Sequence, residues 1–586
     1  MKHRYTLRIL LAILIAATPL AQVSQAEDAR ADEGTRKILT GWLPYYSMNT
    51  YLPAVLSNAD LIGEIMPFWY TLRYDGQTKK PVVVDVYSTA NPSVPIQTPL
   101  TALRNAGMTI IPTITDGTDK LMLANLISKP VSRKQVVDAI VATVASQNYD
   151  GIDLDFEGFA FIDPNTTWKS TAPNWVLFIK ELSAALHAKK KLLSVTTPYL
   201  FDPAEKQKGY FVYSWAGIAP FIDRLRIMTY DYSTTRPGPI GPLAWTEKTV
   251  KYAVSIMPAS KVFVGLPGYG KDWVTKVEGV CPANLAKIIS PSAKAGTFLM
   301  RDAANIAATY GAVPTYNETF AEVTFSYQRQ YTGQTSGGLS TTCTASRTAW
   351  HQNAQSFSVR ANLVAKYQLG GLAEWVIGQE EPLAMVAIRE VAKSIAPAEL
   401  ISTAKLSRSE VSYGNPVTLS GLITLKDKSP VSSLPFTVEG SYPDGSTRTL
   451  IESVTASDGT FSLPLLIGKS VSLKVLTKQS WERAKSATEA LSLKVTRNLI
   501  FNPSTSVKAG TPFTISGIVL PRSAGISVTL ATTTGKVVER ATTDAQGAFT
   551  ITVPAQPRRI ATYQIVVSAD ATWPALTSDA FSIIIR

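Results

Sequence analysis

Along residues 36–397, short apolar runs alternate with stretches in which apolar residues recur every three or four positions. The short runs read as strands and the longer ones as amphipathic helices, the alternation that builds parallel α/β structure. Eight strands are predicted, at 38–43, 62–68, 109–114, 151–156, 192–197, 224–230, 261–266 and 371–376, with helices between several of them, for example over 132–146 and 175–188. Eight strand–helix units predict an α/β fold of the TIM (β/α)8 type. The seventh and eighth strands lie about 100 residues apart, far more than one crossover helix needs, so an α+β insertion is predicted between them at about 272–360.

After residue 397 the period changes to two, in short runs such as Val417-Thr-Leu-Ser and Tyr563-Gln-Ile-Val-Val-Ser, broken by Gly, Pro and Asp. The segment repeats itself. Gly414-Asn-Pro-Val-Thr-Leu-Ser-Gly421 is echoed by Gly510-Thr-Pro-Phe-Thr-Ile-Ser-Gly517, Asp458-Gly-Thr-Phe461 by Gln546-Gly-Ala-Phe549, and Trp481 by Trp573. Two tandem all-β sandwich domains of the Ig-like kind are therefore predicted, at 400–497 and 498–586. Neither carries a carboxylate cluster or a line of aromatics, so a spacer or adhesive role is favoured over carbohydrate binding.

The N-terminus adds a compartment. Lys2, Arg4 and Arg8 precede an apolar run over 9–21 and then Ser24-Gln25-Ala26, the pattern of a signal peptide occupying residues 1–26. A secreted protein, extracellular or associated with the cell envelope, is expected. The apolar run is too short for a comfortable membrane span, and no later run reaches about 20 residues. In an exported chain the two cysteines, Cys281 and Cys343, are expected to form one disulfide inside the predicted insertion. The three histidines are far apart in the sequence and assemble no zinc constellation.

The 57 Lys+Arg against 44 Asp+Glu give a formal charge of +13. That excess is spread thinly, and no clustered basic face or nucleic-acid-binding motif accompanies it, so nucleic acid is not expected as a partner. A preference for anionic wall polymers, with cell-wall association, fits the balance, and a monomer is expected.

The chemistry concentrates in Asp150-Gly-Ile-Asp-Leu-Asp-Phe-Glu157. Residues two apart on a strand share a face, so Asp153, Asp155 and Glu157 point one way and Ile152, Leu154 and Phe156 the other. In a parallel barrel the apolar side meets the helices and the three carboxyls face inward near the strand's C-terminal end. Crowded, desolvated carboxyls repel, so at least one is expected to hold its proton near neutral pH, as a general acid must. A calcium loop fits poorly, because Gly151 precedes the acidic series, and no second cluster completes a metal site. No metal or other cofactor is expected.

This stretch resembles the D-G-x-D-x-D-x-E signature of family 18 glycoside hydrolases, the chitinases and related N-acetylglucosaminidases. Met228-Thr-Tyr-Asp231 is similar to the family's M-x-Y-D, and Trp375 stands where the family keeps a tryptophan beneath the reactive sugar. Met66-Pro-Phe-Trp-Tyr70, Pro237-Gly-Pro-Ile-Gly-Pro242 and Gly370-Gly-Leu-Ala-Glu-Trp375 resemble the branch with spore-cortex and cell-wall N-acetylglucosaminidases. The resemblance covers roughly residues 36–395, and implies a retaining, substrate-assisted hydrolysis of β-1,4 bonds in chitin or peptidoglycan. It further implies Glu157 as proton donor, Asp155 as the group orienting the substrate's acetamido, and Asp153 as its proton-sharing neighbour. Tyr230 would bond the acetamido carbonyl, with Asp231 and Met228 beside it and Trp375 as the sugar-stacking floor. Tyr45, Phe68 and Trp69, at the ends of the first two strands, are candidates for the cleft wall. One departure is the third strand's end, Ile114-Thr-Asp-Gly117, in place of the S-x-G-G usual in chitinases. The alternatives are a non-hydrolytic chitin- or peptidoglycan-binding lectin, against which the intact final Glu157 argues, and an envelope adhesin.

Overall fold

The computed structural model describes residues 34–586, so the predicted signal peptide lies outside the described residues. The chain divides into two compact units, ending and beginning at Ser394 and Ile395. No helix among the described residues is long and apolar enough to cross a membrane.

The first unit is built on one curled, mixed sheet whose strands are β1 (Leu39–Pro44), β2 (Ile62–Phe68), β3 (Tyr70–Asp75), β4 (Lys80–Asp85), β5 (Thr109–Ile110), β6 (Thr113–Asp116), β7 (Gly151–Asp155), β8 (Leu192–Pro198), β9 (Arg224–Met228), β10 (Val262–Pro267) and, after an excursion of the chain, β16 (Gly371–Trp375). Their order is β4-β3-β6-β7-β8-β9-β10-β16-β1-β2-β5. All eight predicted strands are present, and the third is split. Pro112 has no N–H to give the ladder, and the chain bends at Ile111–Pro112. Residues before the bend pair with β2, residues after it with β7, both in parallel. The Ile111 N–H still donates to Ile65 and the Asp153 N–H to the Pro112 carbonyl, so residues 109–116 contact β2 near one end of the strand order and β7 within it. The antiparallel hairpin β3–β4, not predicted from the sequence, adds to β6.

Alternation decides what each strand presents. Ile152, Leu154 and Phe156 are fully buried outward, where Phe156 meets Trp175 and Phe178 of helix Trp168–His187 at ring distances of 6.3 and 6.2 Å. That helix starts earlier than the periodic stretch suggests, with Pro173 in its second turn. The opposite parity of the strands collects polar groups instead: Thr113, Asp153, Ser194, Thr196 and Arg226 are all buried.

The excursion between β10 and β16 is a five-stranded antiparallel sheet of β11 (Tyr269–Gly279), β12 (Gly296–Leu299), β13 (Thr315–Asn317), β14 (Glu322–Gln334) and β15 (Ser340–His351), with helix Ala303–Thr309. Its strands begin at Tyr269 and end at His351, so part of the 272–360 span belongs to helix Ala354–Tyr367, which follows. Cys281 and Cys343 form a disulfide across it. In the chain-entropy picture a loop of this size contributes about 4 kcal/mol. Glu322, wholly buried, accepts from the Ile240 and Gly241 N–H groups and pairs with buried Arg360 at 3.2 Å, tying the inserted sheet to the helix after it.

In the second unit, residues 400–496 form a three-stranded and a five-stranded sheet around one apolar cluster, and residues 498–585 form a three-stranded and a six-stranded sheet around another. The echoed sequence segments fall on matching neighbouring strands, Val417–Leu425 with Thr460–Leu465 and Phe513–Leu520 with Ala548–Val553. Trp573 packs into the first cluster, 5.9 Å from Tyr413.

Candidate active site

A cavity of about 460 Å³ opens at the C-terminal ends of the parallel strands, lined by Asp155, Glu157, Tyr230, Asp231, Met228, Trp375 and Phe68 among others. A volume of this order suits a sugar unit or two. The sequence-predicted carboxyls are brought together: Asp153 and Asp155 share a face of β7 as its period of two requires, and Glu157 follows just past the strand's end, at the start of the short helix Gly158–Phe161. Asp153 is the deepest and fully buried, below the cavity rather than lining it. Its carboxylate accepts from Thr113 Oγ1 at 2.9 Å, Ser194 Oγ at 2.5 Å, Thr196 Oγ1 at 3.0 Å and Trp42 Nε1 at 3.4 Å. Arg226 Nη1 stands 3.9 Å away, and the same guanidinium bonds Glu64 at 2.5 Å. Four donors and a nearby guanidinium leave this buried carboxyl fully partnered.

Asp155, one step up, is different. Its Oδ1 is buried without a hydrogen-bond partner. Burial, then the charges of Glu157 and Asp153, push its proton affinity well above the usual carboxylate range. Glu157 follows at the cavity wall. Burial first, and the nearby Asp231 carboxylate second, raise its pKa from 4.5 to about 7. A carboxyl with that value is about half protonated at neutral pH and can both give and retake a proton there. The expectation that one of the crowded carboxyls keeps its proton is met by the environment of these two.

Tyr230 follows the end of β9. Burial and the charges of Asp155 and Glu157 hold its phenol well above the usual range, so it remains a donor. Gly265 on β10 gives its ring room: a Cβ there would lie 3.0 Å from the ring's Cε1. Asp231 sits in the left-handed region at φ 59° and accepts from Tyr269 Oη at 2.6 Å and from Lys271 Nζ. Trp375 is held between Trp42 and Phe68, edge to face at 5.9 and 4.9 Å, which fixes the indole in the floor.

Two predicted wall residues lie elsewhere. Trp69 follows Phe68 on the chain and so takes the opposite face, where it is fully buried and packs on Tyr87 at 4.5 Å. Tyr45 lies beyond β1, beside Tyr46 at 5.4 Å, and is not among the cavity-lining residues. The structure adds lining residues that sequence reasoning missed: Trp42 from β1, Phe161 from the short helix Gly158–Phe161, Tyr210 from a loop, Thr196 and Tyr199 at the end of β8, and Tyr269 from β11. Trp42 had a signal, since it shares the inward parity of β1 with Thr40. Thr196 had the same signal, sharing the inward parity of β8 with Ser194, whereas Phe161, Tyr199, Tyr210 and Tyr269 reach the site from beyond the strands of the curled sheet or from the insertion, where no period marks them.

Comparison with known proteins bears on this site. The description of glycosyl hydrolases family 18 matches residues 84–380, which contain the carboxyl row, Tyr230, Asp231 and Trp375. The chain is 22% identical over 277 residues to the "Uncharacterized glycosylase YvbX" of Bacillus subtilis, covering 46% of this chain and 70% of that protein. It is 21% identical over 260 residues to the "Cortical fragment-lytic enzyme" of Bacillus subtilis, covering 44% and 53%. The chain thus spans about half the length of several curated relatives it matches. A crystal structure of chitinase from Chromobacterium violaceum ATCC 12472 aligns at a TM-score of 0.48 and 24% identity, over 61% of this chain and 98% of that one.

Proposed function

Because the chain belongs to glycosyl hydrolases family 18, we propose that it is a secreted glycosidase cleaving β-1,4 bonds of N-acetylglucosamine-containing polysaccharide with retention of configuration. In this reading the curled sheet is a closed (β/α)8 barrel, residues 109–116 completing it, and the second unit is a pair of Ig-like modules. The observation that carries the proposal is Glu157: a carboxyl with a pKa of about 7 at the wall of a cavity floored by a fixed tryptophan.

The steps follow from the groups at hand. A sugar ring stacks on Trp375, and its 2-acetamido group turns toward Asp155 and Tyr230. The unpartnered Oδ1 of Asp155 accepts the acetamido N–H, and the Tyr230 hydroxyl donates to the acetamido carbonyl. Glu157 delivers its proton to the glycosidic oxygen while the acetamido oxygen bonds to the anomeric carbon and the leaving sugar departs. The oxazolinium that forms carries positive charge beside Asp155, whose ionised form it favours, with Asp153 sharing the proton between them. Glu157, now a carboxylate, takes a proton from water as that water's oxygen attacks the anomeric carbon, which restores both the acetamido group and the acid.

Similarity to a cortical fragment-lytic enzyme and a basic net charge favour peptidoglycan glycan strands over chitin as the polymer. Mass spectrometry of products from N-acetylglucosamine oligomers and from purified peptidoglycan, with wild type beside Glu157→Gln, tests both points. Fragments ending in N-acetylglucosamine from the wild type alone support hydrolysis, and the polymer that yields them is the substrate. Binding of oligomers without cleavage by the wild type would replace the enzyme with a lectin.

A further inference from the structure

The inserted sheet carries more than a wall of the cavity. β11 sends alternate residues, Tyr269 and Lys271, to one carboxylate: Tyr269 Oη donates to Asp231 Oδ1 at 2.6 Å and Lys271 Nζ pairs with the same oxygen. The ammonium is well covered, with its side chain 14% exposed, while Asp231 is 49% exposed. Lys271 is held in direction by its neighbour. Asp272 faces the other side of the strand, where Arg347 grips it through Nε at 2.6 Å and Nη2 at 2.7 Å and Tyr327 donates to it. Neither Tyr269 nor Lys271 belongs to the motifs from which the site was read.

We propose, on the basis of the function above, that Lys271 is a positioning residue of the cleft: by pairing with Asp231 it offsets the one carboxylate that acts on Glu157 from across the cavity, and so sets the pH range in which Glu157 holds its proton. Several other groups face Glu157. Asp155 lies beneath it on β7, Tyr230 and Asp231 come from the end of β9, Tyr210 and Tyr213 from the loop after β8, and Asp116 from the end of β6, beside Gly158. Among these charges and phenols, Asp231 alone is tied to a lysine. The Tyr269 hydroxyl, its proton held firmly by burial and by Asp231, steadies the carboxylate but cannot cancel its charge. Without Lys271 the full negative charge of Asp231 acts on Glu157 and its proton is held to higher pH; without Asp231 it is lost at lower pH. The two substitutions therefore move one titration in opposite directions, which a general loosening of the site does not do.

The test is the pH dependence of kcat/KM for wild type, Lys271→Met, Lys271→Arg and Asp231→Asn. Lys271→Met is expected to move the alkaline limb up by about half a pH unit or more, the scale of one partly screened charge. Asp231→Asn should move it down, Lys271→Arg should leave it in place, and the double variant should follow Asp231→Asn. An alkaline midpoint that stays at the wild-type value in Lys271→Met overturns the proposal, whatever happens to kcat. If the wild type hydrolyses neither polymer, the functional reading fails by itself. The same question is then decided without substrate, by ¹³C titration of the Glu157 carboxyl in wild type and Lys271→Met, assigned by its loss in Glu157→Gln. A higher midpoint in Lys271→Met upholds the role of Lys271 and an equal one removes it.

Discussion

Replacing Glu157 with Gln should stabilise the first unit at alkaline pH and leave it nearly unchanged at acid pH. The folded chain holds the Glu157 proton up to about pH 7, whereas the ordinary value is 4.5. The unfolded state therefore gives up this proton first, and the native state loses stability as pH climbs from about 4.5 through about 7. At 1.36 kcal/mol per pH unit, the cost at pH 8 is about 3 kcal/mol. Gln keeps the shape and does not titrate, so that cost disappears in the variant. Urea unfolding followed by tryptophan fluorescence reads the right unit, because all of the 11 tryptophans except Trp481 and Trp573 lie before residue 395. The stability difference between variant and wild type should widen by about 3 kcal/mol between pH 4 and pH 8. A difference that is the same at both pH values would refute the reasoning, since Glu157 would then have no raised pKa to relieve.

Three further outcomes are expected. Hydrolysis by the wild type should decline as pH rises through about 7, as Glu157 loses the proton it donates; a kcat/KM profile that is flat across that range would remove Glu157 as the acid. Trp375→Ala, made in the Glu157→Gln background, should weaken oligosaccharide binding by about 1.5–3 kcal/mol, tenfold or more by calorimetry, because it takes away the apolar floor; an unchanged Kd would place the sugar elsewhere. Arg360→Met leaves Glu322 buried and unpaired, and denaturant unfolding should show a loss of about 3–5 kcal/mol, partly recovered when Glu322→Gln is added.

The carboxyl row could be read directly because a strand's period of two converts spacing into direction, and β7 obeys it from Ile152 to Asp155, with Glu157 delivered just past the strand's end. The same parity separates Phe68, which reaches the cavity, from Trp69, which does not; with Met66 and Phe68 taken as inward, Trp69 had to lie outward against Tyr87. Tyr45 falls past the end of β1, where no period applies. Pro112 marks the break in the third strand, but a proline alone does not tell which neighbour each half will join. Tyr210, Tyr269 and Lys271 were invisible for a related reason. They arrive from a loop and from an inserted sheet, so their place at the site depends on how distant segments dock rather than on any local pattern.

The hydroxyls and charges along the inward parity of the strands also constrain how this protein can change. From Glu64 through Arg226 to Asp153, Asp155 and Glu157, the axis of the sheet is a ladder of ionisable rungs, each within reach of the next. Acid strength at the mouth is therefore a property of the whole ladder. A lineage could retune it from the far end, at Glu64 or Arg226, while every residue that touches the sugar stays as it is, and two relatives with identical cavities need not share a pH optimum.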